Sequence, residues 1–257
     1  MRLFDSHCHI QLPQFDADRT EVLQRMQEKK VGAVVVGTDL RVSQQAFLLA
    51  EQHDFLWASV GLHPNDSKEQ FNVKNFEVLA SHPKTVAIGE CGLDYFRSGK
   101  TESERSRQKN LFISHIELAL SVHKPLIIHC REAHDDMLVI LRQYKKEYAD
   151  ALQAVIHFFT GSSELAQSYL ALDCYLSFPG PITYTQMYDA SIRVTPLEKI
   201  LTETDAPFAA PVPYRGKRNE PIYVEKTLEK IAAIKELSVE EVQKTIIENS
   251  RRVFILH

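Results

Sequence analysis

The chain has 257 residues, 44% of them hydrophobic and 25% charged, which are the proportions of an ordinary globular protein. This composition excludes an intrinsically disordered chain, a collagen-like repeat and a small fold stapled by disulfide bonds. With 30 basic and 34 acidic residues the net charge is -4, so we do not expect a wide cationic groove for a nucleic-acid duplex. A phosphate-bearing substrate remains compatible with this charge if positive charge is local or is supplied by metal ions.

The four cysteines are scattered and form no C-x-x-C pair, which indicates a reducing compartment and argues against a structural zinc site. Charge appears at Arg2 and Asp5, too early for a secretory signal, and no apolar run approaches the length of about 18 residues that crosses a bilayer. We therefore expect a cytoplasmic protein with no membrane contact and no obligate protein partner.

Short runs of β-branched and apolar residues recur along the chain, with helical patterns between them. The predicted strands are, in chain order, Arg2–Ser6, Val31–Val36, Leu56–Val60, Thr85–Gly89, Leu126–His129, Ala154–His157, Tyr175–Phe178 and Ile200–Glu203. The intervening segments space their apolar residues as a helix does, for example at Val22, Leu23 and Met26. The segment from about Pro221 to Leu256 predicts two or three further helices.

Eight strand–helix alternations in about 250 residues predict an α/β fold, a (β/α)8 TIM barrel of the metal-dependent hydrolase type. The alternative is an open doubly wound sheet, but the chain contains neither G-x-G-x-x-G nor G-x-x-x-x-G-K-[ST], so the usual phosphate-binding loops of that class are missing. No linker or shift in composition divides the sequence. We expect a single domain over residues 1–257.

Five of the eleven histidines fall at or just after the carboxyl end of a predicted strand. They are His7, His9, His63, His129 and His157. Glu90 and Asp205 follow the fourth and eighth predicted strands in the same way. Because the carboxyl ends of barrel strands converge on one face, residues about 200 positions apart are expected to share one cavity.

One metal site is predicted around His7, His9 and Asp205. The two histidines are two residues apart on an extended segment, so both imidazoles point to the same side and can chelate one ion. An H-x-H pattern alone is a weak signal, and Asp205 before Ala206-Pro207 could simply form a turn.

A second ion is predicted between His129 and His157 on adjacent strands, with Glu90 placed to bridge the two ions through its two oxygens. Taken singly, His129 could be a buried structural histidine and Glu90 a carboxylate at the mouth of the barrel. Their joint placement at strand ends favours metal binding, and imidazole with carboxylate suits Zn, Mn, Fe or Mg.

His63, in Gly61-Leu62-His63-Pro64, has no clear place in either metal set and is a candidate for orienting the substrate or a bound water. The histidines in helical or loop context are predicted to be structural or exposed: His53, His82, His115, His123 and His257. His134 follows the fifth predicted strand and could line the cavity, although a structural role is favoured.

Together these residues resemble the TatD family of metal-dependent deoxyribonucleases, and the resemblance covers almost the whole chain in order. The matching segments are Asp5-Ser6-His7-Cys8-His9, Gly61-Leu62-His63-Pro64, Gly89-Glu90-Cys91-Gly92-Leu93-Asp94-Tyr95, His129-Cys130-Arg131, His157-Phe158-Phe159-Thr160-Gly161, Thr204-Asp205-Ala206-Pro207, Arg215-Gly216-Lys217-Arg218-Asn219-Glu220-Pro221 and Asn249 to Phe254. Phe158 and Cys91 depart from residues common in the family, which affects substrate fit rather than metal binding.

The resemblance implies a TIM barrel with two divalent metal ions, such as Mg, Mn or Zn, in each subunit. His7, His9, Glu90 and Asp205 would surround one ion, and Glu90, His129 and His157 the other. It further implies removal of nucleotides from the 3′ end of single-stranded DNA, and sometimes RNA, by a water that the two ions activate.

The expected catalytic residues are Asp205, Glu90 and His63. Asp205 would accept the proton of the water, and His63 would hold the scissile phosphate or protonate the leaving group. Glu203 and Asp94 are candidates for supporting the ligands from behind.

Charged and aromatic residues near the same strand ends suit a nucleic-acid end, although each aromatic could equally pack in the core. The basic residues are Arg97, Lys100, Arg131, Arg215, Lys217 and Arg218, and the aromatic ones are Tyr95, Phe96, Phe158, Phe159, Phe208 and Tyr214.

Three alternative functions stay open. The strand-end pattern also fits amidohydrolases such as phosphotriesterases, although many of those bridge their metals with a modified lysine, where this chain has Glu90. Another metal-dependent ester hydrolase, such as a D-aminoacyl-tRNA deacylase, could use the same activated water. A non-catalytic barrel that binds metal or nucleic acid is disfavoured because every ligand position is filled.

Overall fold

The computed structural model describes residues 1–256 and contains one eight-stranded parallel sheet. The strands are β1 (Leu3–Cys8), β2 (Val31–Val36), β3 (Leu56–Val60), β4 (Thr85–Asp94), β5 (Leu126–Arg131), β6 (Ala154–Ile156), β7 (Tyr175–Phe178) and β8 (Ile200–Thr202). Each strand is hydrogen-bonded to the next in sequence order. The prediction for His257 falls outside the described residues.

Hydrogen bonds between the ends of β8 and β1 bring the two edges of the sheet together. Asp205 N donates to His7 O over 2.9 Å, and His9 N donates to Ala206 O over 2.7 Å. Cys8 and Ala206 form a parallel bridge between them. The sheet is thus a nearly closed barrel, and the predicted (β/α)8 architecture is confirmed.

Helices connect the strands and cover the outside of the barrel. They are α1 (Arg19–Lys29), α2 (Leu40–Gln52), α3 (Val73–Ala80), α4 (Glu102–Ser121), α5 (His134–Tyr148), α6 (Ser163–Leu170), α7 (Asp189–Val194), α8 (Val224–Lys235) and α9 (Val239–Phe254). The last two confirm the helices predicted after Pro221. In the described part of the chain, 1–256, no helix has both the length and the apolar character needed to cross a membrane.

The inside of the barrel changes from apolar to polar along the strands. Near the amino-terminal ends, inward side chains from seven strands form a buried cluster with Val253 and Phe254 of α9. Further along, Ser6 Oγ and Ser177 Oγ are 2.8 Å apart and hydrogen-bonded. The apolar half supplies a rigid base, and the carboxyl-terminal half is left for polar chemistry.

Strand β4 is longer than predicted, because it continues beyond Gly89 to Asp94. After a shift in register, its second half pairs with β5, with Gly92 opposite His129. Gly92 has a φ of 135°, and a Cβ there would lie only 2.1 Å from His129 O. Only glycine allows the backbones of β4 and β5 to come this close. Gly92, which in the sequence resembles the end of a strand, therefore lies within β4.

Candidate metal centre

The predicted site residues meet in one cavity of about 840 Å³ at the carboxyl-terminal ends of the strands. It is lined by His9, His63, Glu90, His129, His157 and Asp205, among others. His7 is fully buried and lies beside them, with its Nε2 3.0 Å from His9 Nε2. The structure therefore brings together all seven residues that the sequence placed at strand ends.

Glu90 lies at the centre, and its Oε2 faces the two histidines of β1 and the segment after it. His7 Nε2 is 3.5 Å and His9 Nε2 is 3.8 Å from this oxygen. Asp205 Oδ1 is 3.7 Å from His7 Nε2 and 3.4 Å from His9 Nε2. Two imidazoles and two carboxylates thus surround one small volume.

The other oxygen of Glu90 faces a different set of imidazoles. Oε1 is 3.0 Å from His129 Nδ1, 3.3 Å from His157 Nε2 and 3.4 Å from His63 Nε2. His63 is therefore as close to the carboxylate as the two predicted ligands are, which the sequence did not indicate. A single buried carboxylate joins two ligand groups, one on each oxygen.

The spacing and hydrogen bonding of these atoms fit divalent metal ions. Donors bound about 2.1 Å from one tetrahedral ion lie about 3.4 Å apart, close to the distances observed here. His9 Nδ1 donates to Val36 O over 2.8 Å, so its Nε2 presents a lone pair to the carboxylates. An imidazole lone pair and a carboxylate oxygen that face each other repel unless a cation lies between them.

Two further carboxylates support the imidazoles from behind. Asp94 Oδ2 is 3.1 Å from His129 Nε2, and Glu203 Oε1 is 3.1 Å from His157 Nδ1. Glu203 is fully buried and also accepts a hydrogen bond from Phe158 N. Such partners fix the orientation of a ligating imidazole and raise its basicity.

The electrostatics of the cluster keep the carboxylates ionised. Burial alone would raise the pKa of Glu90, but the imidazoles of His157, His63 and His129 hold it well below its usual range. Burial alone would also raise the pKa of Asp205, but the contact with His9 lowers this pKa below its ordinary value. Anionic oxygens among imidazoles form a strong site for a hard or borderline cation.

Several supporting residues were not identified from the sequence. Asp5 is buried and accepts hydrogen bonds from His7 N and Thr204 N, so it ties β1 to the segment that carries Asp205. Gln108 of α4 accepts from Asp94 N over 2.8 Å and donates to Asp94 O. The sequence signal that could have identified Gln108 is its position on the same helical face as the apolar residues of α4.

The structure separates the predicted basic and aromatic residues into two groups. Arg218 is paired with Asp18, its nitrogens 2.6 Å from both carboxylate oxygens, and does not form part of the mouth. Tyr95 and Phe159 are buried, and Tyr214 stacks on Tyr223 with ring centroids 3.7 Å apart. The remaining aromatic residues, Phe96, Phe158 and Phe208, keep exposed or partly exposed faces.

The chain is similar to known proteins over most of its length. A model of the family described as TatD related DNase matches residues 4–255. YabD of Bacillus subtilis, an uncharacterized metal-dependent hydrolase, is 40% identical, and the match covers 98% of each chain. A protein of Shigella flexneri named 3'-5' ssDNA/RNA exonuclease TatD is 35% identical over 90% of each chain.

Among solved structures, YJJV of Escherichia coli, a TatD homologue, superposes with a TM-score of 0.89. It is 28% identical, and the match covers 100% of this chain and 99% of that one.

Proposed function

Because the chain belongs to the TatD related DNase family and is a metal-dependent hydrolase, we propose that it hydrolyses phosphodiester bonds at the 3′ end of single-stranded DNA and RNA. The main support is the pair of ligand groups on the two oxygens of Glu90, an arrangement suited to two neighbouring cations. The name of the Shigella flexneri relative supports the direction and the substrate.

His7, His9, Glu90 and Asp205 would hold one divalent ion, such as Mg, Mn or Zn, and Glu90, His129 and His157 would hold a second. When bound, the ions supply Lewis acidity, which lowers the pKa of water and offsets charge on the phosphate and the leaving oxygen.

Asp205 and His63 are the proposed proton carriers. The Asp205 side chain is partly open to the cavity, so its carboxylate can accept the proton of the attacking water. His63 Nδ1 accepts a hydrogen bond from Asn65 N, which places the ring proton on Nε2, the nitrogen that faces Glu90. As the water oxygen bonds to phosphorus and the leaving oxygen departs, His63 can protonate that oxygen.

The test is degradation of a single-stranded oligodeoxynucleotide labelled at its 5′ end, with Mg²⁺, Mn²⁺, Zn²⁺ or EDTA. We expect products that shorten one nucleotide at a time from the 3′ end, and no reaction in EDTA. Glu90→Gln and His129→Ala should each lower kcat/KM by about 100-fold or more, because each loses a proposed ligand.

His123→Ala, an exposed histidine far from the cavity, is the matched control and should behave as the wild type. Full activity of Glu90→Gln, or activity that survives EDTA, would contradict the proposal. Release of the amino acid from a D-aminoacyl-tRNA without nucleotide removal would instead identify an ester hydrolase. Oligonucleotide binding without any turnover would identify a binding protein.

A further inference from the structure

The walls of the cavity differ in chemistry from one side of the barrel to the other. Phe158 follows β6, Tyr188 precedes α7 and Phe208 follows β8, whereas Arg97 and Arg131 lie at the ends of β4 and β5. Because the strands run round the barrel in sequence order, the end of β8 lies opposite the ends of β4 and β5. Phe208 therefore faces a cationic wall, formed by Arg97 and Arg131, across the candidate metal centre, whereas Phe158 lies beside β5.

Two aromatic rings, Phe208 and Phe158, lie beside the histidines of the centre. Phe208 is 48% exposed, with its ring centroid 6.4 Å from that of His9. The ring of Phe158 lies 5.8 Å from that of His157. Phe158 has a φ of 50°, a conformation unfavourable for a bulky side chain, and its N–H is held by Glu203. Strained backbone of this kind indicates that the direction of the ring serves the site.

The cationic wall carries charges that have no internal partner. Among residues 1–256, no carboxylate oxygen lies within 4.0 Å of the side-chain nitrogens of Arg97, Lys100 or Arg131. All three residues are exposed. Arg131 stacks on Phe96, its guanidinium carbon 3.8 Å from the ring centroid, and Lys100 lies over the same ring at 5.6 Å. Unpaired cations on an acidic protein form a local site for anions.

A third side of the mouth is acidic and limits where phosphates can lie. Asp39 and Asp66 line the cavity from the loops after β2 and β3. Phosphates that enter from this side would meet carboxylates, so the favourable path for a strand runs over the loops after β4 and β5.

We propose that these walls fix the direction of the bound strand, an inference that rests on the proposed function. The base of the 3′-terminal nucleotide stacks on Phe208. The phosphates on the 5′ side of the scissile bond lie along Arg97, Arg131 and Lys100. A terminal base held in this way is unpaired, so the site selects single strands without reading sequence.

The test measures binding of a 5′-labelled hexadeoxynucleotide by fluorescence anisotropy, with a phosphorothioate at the last linkage to slow cleavage. Two versions are compared, one with a normal and one with an abasic 3′-terminal residue. Phe208→Ala should weaken binding of the normal version about tenfold and leave the abasic version unchanged, because stacking of one base is lost.

Arg131→Gln should weaken both versions equally. It should also reduce the slope of log K against log salt by about 0.7, the value for one phosphate contact on a single strand. Tyr148→Ala and Arg142→Gln, exposed on α5 away from the mouth, are the matched controls and should change neither binding nor slope.

Equal weakening of the normal and abasic versions by Phe208→Ala would overturn the aromatic site, and an unchanged salt slope in Arg131→Gln would overturn the cationic site.

The proposed function and the proposed strand direction fail in different ways. If the oligonucleotides bind with the expected pattern but are never cleaved, the proposed function fails and the strand direction stands. If they are cleaved without the pattern, the strand direction fails alone, and absence of binding overturns both.

Discussion

At the scale of single residues, the site depends on carboxylates that contact imidazoles without needing to contact a metal ion. Asp94 shows this most clearly, because one oxygen lies 3.1 Å from His129 Nε2 while the other accepts a hydrogen bond from Arg97 N. Its side chain also accepts from Asn65 Nδ2 over 2.7 Å. One buried carboxylate thus connects His129 with two loops at the mouth.

Asp94→Asn should weaken metal binding by about 10- to 100-fold, the usual cost of losing a carboxylate behind a ligating histidine. The amide keeps the shape of the side chain but removes the charge that favours the correct imidazole tautomer. Affinity is measured by isothermal titration of the metal-free protein with Mn²⁺ or Zn²⁺.

Asp39→Asn is the matched control, because Asp39 lines the same cavity but contacts no imidazole, and its contact with Val42 N is one that asparagine also makes. We expect its affinity to stay within about threefold of the wild type, since a partly exposed charge that contacts no imidazole is screened by solvent and salt. Similar losses in both variants would mean that overall charge, rather than the contact with His129, sets the affinity.

The sequence was most informative about residues at strand ends and least informative about residues that act through others. His7, His129 and Asp205 could be grouped because barrel topology alone brings strand ends together. Gln108 and Asn65 could not be identified in this way, because their role depends on which backbone and side-chain atoms lie opposite them in the folded protein. Phe158 and Phe159 look equivalent as neighbours, and only the fold shows that one lines the cavity and the other is buried.

At the scale of elements, α4 holds the loop after β3 through a buried histidine. His115 Nε2 accepts from Leu62 N over 2.9 Å, next to His63, and His115 Nδ1 is 2.8 Å from Leu111 O. Burial lowers the pKa of His115 to about 4 from an ordinary value of 6.5. The prediction that this histidine is structural is consistent with these contacts.

This shift predicts how stability responds to acid. Between pH 6.5 and 4 the unfolded chain binds a proton at His115 that the folded protein refuses, so the free energy of unfolding falls as the pH falls. The contribution of His115 to this loss is about 3 kcal/mol over the whole interval. In His115→Gln this pH-dependent loss is absent. The variant is therefore less stable than the wild type at pH 7, but its free energy of unfolding approaches that of the wild type as the pH drops.

The measurement is urea unfolding at several pH values with EDTA present, so that metal binding does not contribute. His123→Gln, an exposed histidine, should keep the wild-type pH dependence. A stability difference between wild type and His115→Gln that stays constant from pH 7 to pH 4 would show that His115 titrates normally.

Element boundaries could be predicted where the pattern is uninterrupted and not where backbone contact replaces side-chain packing. The strands at Val31–Val36, Leu56–Val60 and Tyr175–Phe178 begin and end at the predicted residues, because each is a short, mainly apolar run. Strand β4 passes through Gly89 and Gly92, whose role is to let two backbones approach. Nothing in a local pattern distinguishes such a glycine from one that ends a strand.

At the scale of the whole molecule, the barrel gathers ligands that are far apart in sequence. The candidate ligands come from β1 and the segment after it, β4, β5, and the segments after β6 and β8. Each segment contributes only one or two groups, and no short stretch of the chain could hold an ion alone. The closed arrangement of the strands is therefore what creates the centre.

Anomalous diffraction from crystals soaked in Mn²⁺ can show whether two cations are held on either side of Glu90 in this cavity. We expect two anomalous peaks about 3.5–4 Å apart, one on each side of the Glu90 carboxylate. The peak next to Oε2 should contact His7, His9 and Asp205, and the other should contact His129 and His157. A single peak, or metal bound away from Glu90, would rule out a pair of cations held by this carboxylate.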